Sequence, residues 1–79
     1  VNRLREETER AVRGIDPSLR IHDFRLVGGE THANLVFDVA APFECALSDE
    51  QICARIKDAV ARMGDHFGAV VTVDRQNLD

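Results

Sequence analysis

His22 stands immediately before Asp23, and His32 opens an alternating run that contains Asp38. A neutral imidazole beside a carboxylate is a donor combination suited to Zn²⁺. His22 is therefore a candidate metal ligand; its plainer role is to cap the edge of the core at a strand end. His32, Asp38 and Asp23 carry the same face parity and form a second candidate constellation. Without a metal, His32 would pack on an exposed sheet face or steady a turn. Asp74 and Glu50 add oxygen donors, and carboxylates by themselves favour harder ions such as Mn²⁺ or Fe²⁺. Glu50 also suits the first turn of a helix, where the macrodipole favours a negative charge. Cys45 and Cys53 lack CxxC spacing, which fits neither a zinc ribbon nor a disulfide-dense secreted scaffold. They point to a reduced, cytosolic setting, with Cys53 as a small core residue beside Ile52 and Cys45 exposed beside Glu44. His66, following Gly64-Asp65, falls in a helix-to-strand loop. No Ser/His/Asp or Cys/His arrangement has a supporting motif, and Gly28-Gly29 lacks the strand-to-helix context of a phosphate loop. A non-enzymatic role is expected.

The elements that must position these groups follow from periodicity. Val1, Leu4, Thr8, Ala11, Val12 and Ile15 have helical spacing, predicting a helix over Asn2–Arg13 that Gly14 ends. Glu6 with Arg10 and Glu9 with Arg13 are spaced as supporting ion pairs. Asp16-Pro17-Ser18 is a turn. Two alternating runs follow, Arg20–Val27 and His32–Ala40. In the first, His22, Phe24 and Leu26 are placed on one face, with Asp23 and Arg25 on the other. In the second, Ala33, Leu35, Phe37 and Val39 form the apolar face. Gly28-Gly29 offers the positive-φ positions of a tight hairpin turn, and Pro42 closes the second strand. Ser48 with Gln51 makes a capping box, flanked by the staple pair Leu47 and Ile52. Ile52, Ile56, Ala59, Val60 and Met63 continue the stripe of a second helix up to Gly64. Ala69–Arg75, with four β-branched residues in a row, is a third strand. The order α-β-β-α-β predicts an α+β, two-layer domain over residues 1–79, a three-stranded mixed sheet with both helices on one face.

Composition bounds the function. With 79 residues the chain is one small domain, of a size that commonly relies on a metal or a partner subunit. Its net charge of −4, with no Trp or Tyr, argues against nucleic acid. No stretch approaches the roughly 20 apolar residues that span a bilayer. The chain starts at Val1 inside a charged helical pattern, so a fragment of a longer protein is expected.

Several strings, taken in order, resemble the C-terminal domain of cation diffusion facilitators. They are Ile21-His22-Asp23-Phe24-Arg25, then Gly29-Glu30-Thr31-His32-Ala33-Asn34-Leu35-Val36-Phe37-Asp38-Val39, Leu47-Ser48-Asp49-Glu50, and Val71-Thr72-Val73-Asp74-Arg75. The resemblance spans nearly the whole chain. It implies a ferredoxin- or metallochaperone-like fold and a homodimer at the cytoplasmic face of the membrane, joined to its own transmembrane domain. That domain would export divalent cations, typically zinc, against protons, and metal bound near the dimer interface would regulate it. Residue by residue, His22 and Asp74 match family ligand positions, and Glu50 stands where a His near the start of the second helix is usual. Phe37 and Thr72 stand where the family places further histidines. The resemblance thus implies a metal site weaker than a full multi-His set. Two other functions fit the same residues: a small-molecule-binding ferredoxin-like regulatory domain, and a purely structural dimerisation module.

Overall fold

The computed structural model describes residues 2–77, so the expected core role of Val1 lies outside the described residues. The elements run α1 (Asn2–Ile15), β1 (Arg20–Gly28), β2 (Ala33–Pro42), α2 (Asp49–Met63) and β3 (Phe67–Gln76). The strand order is β1-β2-β3, with β2 antiparallel to β1 and parallel to β3. A parallel pair needs a crossover, which α2 supplies. Val12, Leu19, Ile21, Leu35, Phe37, Val39, Ala41, Ile52, Ile56 and Val60 form one buried cluster. Both helices contribute to it, so both cover the same face of the sheet and leave the other open. The expected mixed-sheet α+β architecture is the observed one.

Local details differ from the expected boundaries for identifiable reasons. α1 runs through Gly14 to Ile15, whose side chain packs against the core. Thr8 is fully buried because its hydroxyl donates to the Leu4 carbonyl at 2.8 Å. Glu9 pairs with Arg5 at 3.5 Å, one turn before it, instead of with Arg13. The hairpin is no two-residue turn: residues 29–32 form the loop, closed by the Gly29 amide donating to the His32 carbonyl at 2.9 Å. Gly29 takes no positive φ. Gly28 is the residue that must be glycine, since a Cβ there would run into the His32 carbonyl and the Ala33 backbone. Pro42 is the last residue of β2, beyond the Arg20–Ala40 pair where β1 stops, so its missing N–H breaks no ladder bond with β1.

The α2 start forms as its sequence predicts. Gln51 N–H donates to Ser48 Oγ at 3.1 Å, and Ser48 N–H donates to Gln51 Oε1 at 2.9 Å. Leu47 and Ile52 both join the core. Gly64 follows the helix in an extended conformation, φ 166°, so it is no left-handed cap. Arg75 ties this corner together: its guanidinium donates to the Pro42 and Leu47 carbonyls and to Asp49 Oδ1. The Asp49 hydrogen bond, opposed by desolvation, raises Arg75 above its ordinary value. Among the described residues, no helix is long and apolar enough to cross a membrane.

Candidate metal centre

One backbone irregularity decides which side chains meet. His22 pairs with Asp38, but the next pair is Arg25 with Val36, so Asp23 and Phe24 together oppose Phe37. This is a β-bulge. Asp23 takes the left-handed conformation, φ 55°, which Asp tolerates better than most residues. The extra residue inverts the alternation. Ile21 is buried opposite Val39, and Phe24 stacks on Phe37 with ring centroids 6.0 Å apart, so both face the helices. His22 lies on the open face with Asp38, which corrects the expected grouping of His22 with Phe24 and Leu26.

On that open face, Ala40 separates Arg20 of β1 from Asp74 of β3. His22, Asp23, Asp38, Ala40, Asp74 and Gln76 line one open depression. Ala40, although on the open face, is only 2% exposed and forms the floor. Gln76 Nε2 donates to Asp74 Oδ2 at 2.7 Å, steering that carboxylate. His22 and Asp38 are direct cross-strand neighbours, whereas Asp74 lies two strand spacings across and two residues along from His22, about 12 Å away. Among the described residues no three His, Cys, Asp or Glu side chains are placed to hold one metal ion together.

The other expected ligands sit elsewhere. Glu50 is exposed on α2, in the helix layer on the far side of the sheet. His32 precedes β2 and is roughly 20 Å from Asp38 along the strand, at about 3.3 Å per residue. The grouping of His32 with Asp38 and Asp23 is therefore not formed, although Asp38 and Asp23 do meet at the depression. Phe37 is 1% exposed and faces the helices, so no ligand could act from there. The open-face position opposite His22 belongs to its neighbour Asp38, a role that the register reveals and the family pattern did not. Thr72 is exposed beside Asp38 on β3. Cys53 is half-buried, with its thiol 4.0 Å from the Val71 carbonyl. Cys45 is half-buried too, against the expectation of exposure, because its thiol donates to Asp16 Oδ2 at 3.4 Å.

Comparison with solved structures places this geometry. The chain superposes on the metal-bound C-terminal domain of the CzcD transporter from Thermotoga maritima with a TM-score of 0.71, at 15% identity over 94% of this chain and 91% of that one. It has the fold of a transporter C-terminal domain. A second likeness, to CzrB, a candidate zinc transporter, has a TM-score of 0.66 at 19% identity, covering 91% of this chain and 95% of that one. No protein-family profile matches the sequence, and no curated protein is significantly similar to it.

Proposed function

We propose that this chain is the cytoplasmic dimerisation and metal-sensing domain of a cation diffusion facilitator that exports a divalent, zinc-type cation in exchange for protons. The observation that carries this reading is the open-face depression. It collects His22, Asp38, Asp23 and Asp74 on a fold shared with a transporter domain that is described as metal-bound. One imidazole and several carboxylates suit Zn²⁺, Mn²⁺ or Fe²⁺ in kind. Within one chain they are too far apart to close a coordination shell. A bound cation must therefore draw the side chains together or recruit a donor from a second copy. Either requirement links binding to a change in the dimer, since a ligand shifts a conformational equilibrium only by its differential affinity for the two states. The module needs no catalytic group for this role.

The absence of a preformed three-ligand group among the described residues favours one other reading, a structural dimeriser without metal. Calorimetry with Zn²⁺ and Mn²⁺ on the parent and on the double variant His22→Ala, Asp74→Ala separates the two. Metal sensing requires binding by the parent and its loss in the variant. Equal binding by both relocates the site, and binding by neither leaves the structural role.

A further inference from the structure

At the hairpin end of the open face, two heteroatoms lean over one bare position. Asn34 pairs with Gly68, and Ala33 pairs with Phe67. His32 and Asn34 are two residues apart, so both flank Gly68 from the same side of the sheet. Asn34 Oδ1 lies 2.6 Å, and His32 Nε2 3.3 Å, from the point that a Cβ on Gly68 would occupy. Any other residue at 68 would push the asparagine oxygen aside. His32 is exposed and Asn34 half-buried. Neither side chain has a hydrogen-bond partner among the described residues. The niche is flanked by Val27, directly opposite Asn34, and by Val36 and Val70 one step further along the face.

We propose that His32 Nε2 and Asn34 Oδ1, over the floor left open by Gly68, form a cation site separate from the His22–Asp38–Asp74 depression. Imidazole selects borderline divalent ions such as Zn²⁺, Ni²⁺ and Cu²⁺ over Mg²⁺ and Ca²⁺. The amide oxygen supplies a second, neutral donor, and water completes the shell. The valine rim lowers the local dielectric and strengthens ion–dipole attraction there. Two neutral protein donors make a weak site, and its cation keeps its full charge. Because the niche and the depression lie at opposite ends of the sheet, each can be emptied without disturbing the donors of the other.

The test uses the 79-residue chain carrying His22→Ala and Asp74→Ala, so that the depression is disabled, with Zn²⁺ and Cu²⁺ as probes and side-chain NMR as the readout. Zn²⁺ is expected to shift the His32 ring and the Asn34 side-chain amide with one common affinity. Substoichiometric Cu²⁺ is expected to broaden the same two groups first. Adding Asn34→Ala or Gly68→Ala is expected to weaken the His32 response at least about tenfold, equivalent to roughly 1.4 kcal/mol. Asn34→Ala leaves the backbone pairing untouched, and so decides the matter even if Gly68→Ala folds poorly. A His32 response of unchanged affinity in Asn34→Ala would show a lone imidazole and overturn the site. Silence of His32 at millimolar Zn²⁺ would overturn it equally.

Discussion

At the residue scale, the inversion at Asp23 matters most for chemistry. Without the extra residue, the alternation would carry His22 to the face of Phe24, under the helices. With it, His22 and Asp38 are neighbours on the open face, and Thr72 is next to Asp38 on the other side. Thr72→His would add a nitrogen donor beside Asp38, on the same strand face as Asp74 and two residues before it. Its Zn²⁺ affinity is expected to rise by about tenfold, roughly 1.4 kcal/mol; calorimetry showing no gain would mean that the cation does not sit over this part of the sheet. Asp16 makes a different kind of prediction. The Ser18 hydroxyl donates to its carboxylate at 2.6 Å and the Ser18 amide at 2.9 Å. These bonds, the hydroxyl first, hold Asp16 below its ordinary 3.8 against an opposing desolvation, and the Cys45 thiol adds a further lowering contribution. A depressed folded-state value means that the stabilisation is complete above the ordinary value and is lost as pH falls through the depressed one. Asp16→Asn should therefore lower the thermal midpoint at neutral pH. The difference from the parent should shrink once the pH is below the usual carboxylate range, and a gap that persists in acid would assign the effect to something other than charge.

At the element scale, α2 joins the two parallel strands, and its start is held twice. The capping box satisfies the Gln51 and Ser48 amides, and Arg75 fastens the preceding loop to the ends of β2 and β3. Ser48→Ala removes the side-chain acceptor for the Gln51 amide. It should cost about 1 kcal/mol of stability, visible as a lower denaturation midpoint with an unchanged slope. Metal binding should survive, because Ser48 lies in the helix layer and the depression on the opposite face. An unaltered midpoint would mean that water replaces the cap without loss.

At the scale of the whole molecule, one sheet face is covered and the other is not. Val70 is 51% exposed and Val27 54%, a large apolar exposure for so small a core. A second copy covering that face would bury it, in keeping with the proposed dimer. Sedimentation of the parent chain should show a dimer at high micromolar concentration. Val70→Lys should move it toward monomer with little change in secondary structure, since the side chain already faces outward. A monomeric parent, with and without metal, would remove dimerisation from the proposed function.

Although the buried Leu19, Ile21 and Ala41 were not named as core by the sequence, element order, the capping box, the staple and the core stripes of α2 and β2 were legible in it. Each depends on contacts between near neighbours or on a period of 3.6 or 2, and periodicity survives without knowledge of partners. The faces of β1 were not legible, because a bulge arises from the pairing of two strands and one residue of slip inverts every later side chain. Phe37 faces the helices as the alternation of β2 predicts, and only the register with β1 sets Asp38 opposite His22. His32 with Asp38 shared a parity but not a place, since parity names a face and says nothing of distance along it. Only strand register decided that His22, Asp38 and Asp74 share one depression, that Glu50 lies across the sheet from them, and that His32 finds Asn34 over a glycine from a third strand. Register is set by long-range pairing, which brings together residues that no local pattern connects.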